Sequence, residues 1–204
     1  MMIQKLLLPI GIGVAVLLGG CSKEAQAPPI PTVTIENLKV AHACAFKRSL
    51  WYASAAKVAD RERLGNLAAL FRAISKSESV HASLHEQLLV SRNQGTDTSR
   101  AACLSLGTIW QALRMASSLE RTEVEGLYPP MVSAAQREGW PEAAQQFRHT
   151  GSADSGHLAL IKEADDRAGT VPLRSYRICT GCGTIVYGQE TACPVCSGTA
   201  FEAS

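Results

Sequence analysis

Residues 71–81 read FRAISKSESVH, and residues 147–157 repeat the pattern as FRHTGSADSGH. The copies lie 76 positions apart, and each has Phe-Arg, five further residues, and then a carboxylate and a histidine at i and i+3. Residues at i and i+3 project from one face of a helix. Two such helices facing each other bring two carboxylates and two imidazoles into a bundle interior, which is the ligand set of a carboxylate-bridged two-metal centre. The repeat predicts redox chemistry on metal.

The chain around the repeat has the apolar spacing of helices. The spacing predicts helix A over about 34–60, helix B over about 63–89, helix C over about 99–138 and helix D over about 141–167. Pro129-Pro130 is expected to kink helix C, because proline removes a backbone donor and clashes with the preceding turn. Two helical hairpins related by a repeat predict an all-α four-helix bundle with a crossover, which we assign to residues 33–168.

Helix C offers two further carboxylates at i and i+3. The predicted bundle ligands, which are also the candidate catalytic residues, are Glu78, His81, Glu120, Glu123, Asp154 and His157. Carboxylate oxygens together with imidazole suit iron or manganese in a bundle core.

Helix A lacks the matching carboxylate. Aligning the two halves across Leu38 and Leu113 places Ala45 opposite Glu120, and alanine cannot bind metal. His42, one turn earlier, either substitutes for it or belongs to ordinary helix packing. Tyr52 and Tyr128 either hydrogen-bond to ligating carboxylates or pack in the core.

Four cysteines near the C-terminus form two knuckles, Cys179-x-x-Cys182 and Cys193-x-x-Cys196. Four thiolates at this spacing predict a tetrahedral metal site, which fits iron or zinc. The small domain at 169–204 lacks a sizeable core, so metal binding would also stabilise its fold.

The N-terminus reads as an export signal. One lysine precedes an apolar run from Leu6 to Leu18, which is short for a membrane span and typical of a signal peptide. The run leads into Gly19-Gly20-Cys21, so we predict a lipoprotein signal over 1–20, lipidation of Cys21 and a proline-rich linker over 21–32. The predicted location is the cell envelope, with the protein anchored to the membrane by lipid and facing the periplasm or the exterior.

Composition limits the remaining possibilities. The formal net charge is +2 and the chain has no basic stripe, so there is no electrostatic case for nucleic acid. Export implies an oxidising compartment, in which Cys44 and Cys103 are either free or joined in a disulfide.

Together these motifs resemble the rubrerythrin family, a ferritin-like four-helix domain followed by a rubredoxin-like domain. The resemblance covers about residues 34–201 and rests on the two repeated phrases, on Glu120-x-x-Glu123 before Tyr128-Pro129, and on the two cysteine knuckles. It implies a non-haem di-iron centre that reduces hydrogen peroxide to water, fed with electrons by iron at Cys179, Cys182, Cys193 and Cys196. It also implies a homodimer and an electron donor, which the sequence does not identify.

The chain departs from the family pattern in three places. Ala45 stands where the family has a ligating glutamate, Asp154 stands where glutamate is usual, and the gap between the knuckles is short. The leading hypothesis is an envelope oxidoreductase of the peroxide-reducing kind. The alternatives are a metal-binding or sensing lipoprotein with a degenerate bundle site, and a zinc-stabilised scaffold that docks a partner.

Overall fold

The computed structural model describes residues 30–167 and 169–204. The predicted signal peptide, Cys21 and most of the linker lie outside the described residues. The helices are α1 (Thr32–Arg61), α2 (Gly65–Val90), α3 (Ile109–Thr122), α4 (Tyr128–Arg137) and α5 (Pro141–Asp166), with a 3₁₀ turn at Thr98–Arg100 and a π-helical segment at Glu123–Leu127. The strands are β1 (Tyr176–Cys179), β2 (Ile185–Tyr187) and β3 (Phe201–Ala203). The predicted all-α bundle with a small C-terminal ribbon is confirmed.

The repeat is visible in the turns between helices as well as in the repeated motifs at 71–81 and 147–157. Arg63 ends the α1–α2 turn with φ 62°, and Gly139, its counterpart 76 positions later, ends the α4–α5 turn with φ 69°. In both turns the next residue donates a backbone hydrogen bond across the turn, from Leu64 to Ala59 and from Trp140 to Ala135. The two helical hairpins are therefore built on one local plan.

The predicted helix C differs from the structure in two places: its start, and the backbone just before the two prolines. Residues 101–107 are non-helical, and α3 begins only at Ile109, where Thr108 and Gln111 form a reciprocal capping box. The irregularity near the prolines is the π-helical segment that precedes them, and Pro129 and Pro130 lie in the first turn of α4. Because neither proline has a backbone N–H, the α-helical hydrogen bonds to residues 125 and 126 cannot form, and the ladder changes register there.

Two apolar clusters are separated along the bundle axis. One contains Tyr52, Phe71, Ile74, Leu113 and Ile161, and the other contains Leu38, Leu89, Tyr128, Met131 and Phe147. Each of the four helical segments of the bundle passes from one cluster to the other. The predicted metal ligands lie on these helices between the two clusters, where the surrounding protein excludes water.

The terminal domain is a three-stranded antiparallel sheet in the order β2-β1-β3. Its first strand packs against the bundle, because Tyr176 and Ile178 belong to the first apolar cluster. The domain is thereby held on α2 and α5 within the same chain. Among the residues described, no helix combines the length and hydropathy needed to cross a membrane.

Candidate metal centres

Four side chains from three helices converge in the bundle. Glu78 of α2, Glu120 of α3 and the pair Asp154 and His157 of α5 each offer a ligand atom, and these atoms all lie within 4.8 Å of one another. All four side chains are buried, with at most 1% of each residue exposed. Their convergence follows from the i and i+3 spacing, which sets the carboxylate and the histidine of each repeat copy on the inner face of a helix.

The other two predicted ligands stand beside this cluster. His81 Nδ1 lies 3.5 Å from Glu78 Oε2 and 3.4 Å from Asp154 Oδ1. Glu123, at the start of the π-helical segment, is equally buried but contacts the guanidinium of Arg48. The structure therefore brings five of the six predicted residues together and pairs the sixth with a cation.

The donor set fits a hard metal ion. Leaving aside Glu123, which is paired with Arg48, six buried ligand atoms find no hydrogen-bond partner among residues 30–167 and 169–204: Glu78 Oε1, His81 Nδ1, Glu120 Oε2, both carboxylate oxygens of Asp154 and His157 Nδ1. Burying polar atoms without partners costs several kcal/mol, and metal coordination removes that cost. These residues would hold iron or manganese, and their role as ligands stays a prediction.

Without metal the carboxylates crowd one another. Burial, together with the negative charges of Glu78 and Glu120, holds the pKa of Asp154 well above its usual range. Burial alone would raise the pKa of Glu78 too, but the nearby imidazole of His81 and the guanidinium of Arg48 outweigh it and lower the pKa. In the metal-free site the proton is therefore held more readily by Asp154 than by Glu78, and a bound cation would favour the ionised form of Asp154.

The two tyrosines occupy different surroundings. Tyr52 Oη donates a hydrogen bond of 2.6 Å to Glu120 Oε1, and burial and the charge of Glu120 raise the pKa of Tyr52 well above its usual value. Tyr128 instead packs among the rings of His85 and Phe147. Tyr52 thus positions a predicted ligand directly, while Tyr128 contributes to the wall beside it.

Helix α1 supplies a cation where a carboxylate was missing. Ala45 is buried with 1% exposure, and one turn later Arg48 enters the centre with 6% exposure. Burial alone would lower the pKa of Arg48, but the carboxylates of Glu78 and Glu120 outweigh it and raise the pKa. Sequence reasoning missed Arg48; the signal available was its register, which sets it opposite Glu123. His42 stacks on Phe46 and lies outside the cluster of four ligand atoms.

The terminal cysteines form the second centre. The sulfur atoms of Cys179, Cys182, Cys193 and Cys196 all lie within 4.8 Å of one another. Burial raises the pKa of Cys179 to about 11. Burial also acts to raise the pKa of Cys193, but backbone N–H groups of Cys196 and Val195 outweigh it and bring the pKa to about 7. Cys193 is therefore deprotonated more readily than Cys179, and a metal ligand must be deprotonated. Cys44 and Cys103, whose pairing the sequence left open, are both free.

The two centres are joined by hydrogen bonds. His81 Nε2 lies 3.1 Å from the carbonyl oxygen of Cys182. Ser77 Oγ donates to the carbonyl of Gly183 at 2.5 Å, and His157 Nε2 lies 2.8 Å from the same hydroxyl. A carbonyl only accepts, so His81 carries its proton on Nε2. The Ser77 hydroxyl donates its proton to the Gly183 carbonyl, so His157 in turn donates to that hydroxyl from Nε2. Both Nδ1 lone pairs are thus left to face the carboxylates.

Gly183 makes this close approach possible. Its φ is +79°, a conformation that favours glycine, and an added Cβ would lie 2.2 Å from His81 Nε2. The backbone of the first knuckle therefore rests directly on the imidazole of α2.

Comparison with known proteins agrees with this arrangement. The family model described as rubrerythrin matches residues 36–164. The chain belongs to the rubrerythrin family. The family binds iron at a di-iron site and at a four-cysteine site, and this rubrerythrin-family chain has a carboxylate–histidine group and a four-cysteine group at the corresponding places.

Relatives match across both domains. Nigerythrin of Nitratidesulfovibrio vulgaris is 27% identical over 164 residues, which cover 80% of this chain and 81% of the relative. Rubrerythrin of Porphyromonas gingivalis is 28% identical over 173 residues, covering 80% of this chain and 85% of that one. The structure of nigerythrin in a mixed-valence state has a TM-score of 0.76 at 23% identity, covering 97% of this chain and 100% of the other, so the fold is shared.

Proposed function

We propose that this protein reduces hydrogen peroxide in the cell envelope, using iron in the bundle supplied with electrons through the four-cysteine site. The observation that carries the proposal is the direct link between the centres, in which the carbonyls of Cys182 and Gly183 reach His81 and His157 through hydrogen bonds. One chain therefore holds a peroxide-reducing centre and its electron entry in contact.

The reaction sets the requirements that the residues must meet. Converting hydrogen peroxide to two waters takes two electrons and two protons, and it breaks the O–O bond. Iron held at the two centres would supply the electrons one at a time, and iron in the bundle would act as a Lewis acid toward the peroxide. The residues Glu78, His81, Glu120, Asp154 and His157 would hold the bundle iron. Tyr52 keeps Glu120 oriented, and the two apolar clusters keep bulk water out.

The envelope location is part of the proposal. The apolar run ending in Gly19-Gly20-Cys21 supports export and lipidation of Cys21, with the proline-rich linker as a spacer from the membrane. The electron donor would then be a one-electron carrier of the envelope. Homodimer formation is also proposed, although the contact between the centres within one chain does not require it. Replacing Cys21 by serine should release the protein from the membrane fraction; a variant that stays in that fraction contradicts the lipid anchor.

A second candidate function is favoured by one feature. Ala45 and the buried Arg48 leave α1 without a ligand, as expected for a metal-binding or sensing protein with a degenerate bundle site. The same features give no support to a scaffold role.

The deciding experiment measures metal content and peroxide consumption together. Full-length protein, purified without added metal and reduced by a one-electron chemical donor, should contain iron in both centres and consume peroxide. The variant His157→Ala should lose that consumption and retain the cysteine iron. Iron in both centres without peroxide consumption favours the sensing function, and zinc alone at the cysteines contradicts the proposal.

A further inference from the structure

Arg48 occupies a special position in the repeat. The alignment that sets Ala45 opposite Glu120 also sets Arg48 opposite Glu123. A cation on α1 therefore matches an anion on the helix-C segment, which is α3 together with the π-helical residues Glu123–Leu127. The two side chains meet in the bundle interior. Among the described residues, Arg48 is the one buried lysine or arginine.

The pairing divides the ligands into two groups. Glu78, Glu120, Asp154 and His157 converge tightly enough to hold one metal ion by themselves. A second ion would need Glu123 as a ligand, and α1 would give it no ligand, because Ala45 has no ligand atom and Arg48 is a cation. Its ligand shell is therefore short of a carboxylate, and the carboxylate that remains is already engaged by a guanidinium.

We infer that Arg48 competes with the second metal ion for Glu123, so that the bundle binds its two ions in two steps of very different affinity. Two effects act in the same direction. Releasing Glu123 to a metal leaves the buried guanidinium without that partner, and an unpartnered buried charge is strongly unfavourable. The guanidinium also repels a cation that enters beside it. The first ion, bound by the cluster of four, meets only the second of these effects because it does not need Glu123.

Manganese titration of the full-length protein tests the inference. The four-cysteine site is first filled with one equivalent of Zn²⁺, which prefers the four thiolates, and Mn²⁺ is then added while the electron paramagnetic resonance signal of free Mn²⁺ is followed. Mn²⁺ prefers carboxylate and imidazole to thiolate, so it reports on the bundle alone. The wild-type protein should bind one ion tightly and the second at least about 100-fold more weakly, the order expected for a unit charge a few ångströms from a cation.

Variants at position 48 separate charge from shape. Arg48→Met removes the charge at similar length and should tighten the second step at least about tenfold while changing the first far less. Arg48→Lys keeps the charge and should resemble the wild type. Lys47→Met is the matched control, because it removes a charge from the neighbouring residue, whose amino group contacts the carbonyl of Ala101.

The inference is overturned if the wild type binds two ions in a single step of equal affinity, or if Arg48→Met leaves the second step unchanged or weaker. If Arg48→Met fails to fold, Arg48→Gln, which also lacks the charge, replaces it in the titration with the same expected result. No peroxide is used, so failure of peroxide reduction and failure of this inference are distinguishable.

Discussion

The two halves of the bundle agree in one helix and disagree in the other. Helices α2 and α5 carry matched pairs, Glu78 with His81 and Asp154 with His157, and both histidines point Nδ1 at the centre. His81 Nε2 meets the terminal domain directly, whereas His157 Nε2 reaches it through the hydroxyl of Ser77. Helix α1 and the helix-C segment occupy matched positions but carry alanine and arginine in one case and two glutamates in the other. Helices α2 and α5 therefore supply both imidazoles and two of the carboxylates, and only the remaining carboxylates depend on α1 and on α3 with the π-helical segment.

The largest expected effect on the reaction rate comes from giving α3 the alanine that α1 has at the matched position. Glu120→Ala copies Ala45 onto α3 and removes a member of the four-atom cluster. Loss of an outer-shell partner alone costs metal sites about 10–100-fold, so loss of a ligand should reduce peroxide-dependent reoxidation at least about 100-fold. Stopped-flow mixing of reduced protein with peroxide measures this. Ala45→Ser, at the matched position of α1, should leave the rate within a factor of about two; equal losses in both variants contradict the division of roles.

The second largest effect is expected from disturbing the contact between Gly183 of the terminal domain and His81 of α2. Gly183→Ala places a Cβ against the His81 ring and strains a backbone with φ +79°. Because a displacement of about 1 Å can cost about 100-fold when groups must be aligned, electron passage from the cysteine iron should slow at least about tenfold. The visible absorption of that iron reports the rate. Gly188→Ala has similar backbone strain at φ +108° but meets only the side chain of Glu190, and it should leave the rate near that of the wild type.

The contribution of α1 to the carboxylates is tested through Tyr52. Tyr52→Phe removes the hydrogen bond to Glu120 and should lower the free energy of unfolding of the metal-free protein by about 1.5–3 kcal/mol, the range for hydrogen bonds to charged groups. Urea unfolding measures the change. Tyr187→Phe, on a side chain with 41% of the residue exposed, should change stability by less than about 0.5 kcal/mol. Equal effects of the two variants would show that Tyr52 does not support Glu120.

The smallest expected effect concerns another unmatched pair. His85 of α2 corresponds to Ile161 of α5, and burial, followed by the charges of His81 and His42, lowers the pKa of His85 from 6.5 to about 3. Between these values the unfolded chain binds the proton and the native protein does not. Stability from this group is therefore full above about pH 6.5 and falls by about 1.4 kcal/mol per pH unit as the pH drops toward 3.

His85→Ile should remove that part of the pH dependence. Urea unfolding at pH 7 and pH 5 measures the slope for both proteins. Burial lowers the pKa of the half-buried His149 as well, so the comparison variant His149→Gln should reduce the slope less than His85→Ile does. An unchanged slope in His85→Ile contradicts the assignment of a buried neutral imidazole.

The sequence predicted much of the fold because its signals were periodic. The helical spacing located α1, α2 and α5 to within about two residues, and the repeated phrases led to the residues that the structure brings together. The late start of α3 was wrongly predicted although Thr108 and Gln111 have capping-box spacing, a signal that was present and missed.

Other features had no local signal. A single arginine within a helical pattern ordinarily lies on the solvent-facing side, and only its register with Glu123 shows that Arg48 points inward. The contact of Gly183 with His81 joins residues about 100 positions apart, and no pattern within either domain specifies it. The π-helical segment at Glu123–Leu127 likewise depends on hydrogen-bond register rather than on residue type.

The central claim is that peroxide reduction in the bundle draws electrons from the four-cysteine iron of the same protein. The most direct measurement is anaerobic stopped-flow mixing of fully reduced, full-length protein with about two equivalents of hydrogen peroxide, which is more than the bundle iron alone can reduce, following the thiolate-to-iron absorption of the cysteine site. We predict that this absorption returns rapidly and that one peroxide is consumed for every two electrons lost. A cysteine iron that stays reduced while peroxide persists would contradict the account.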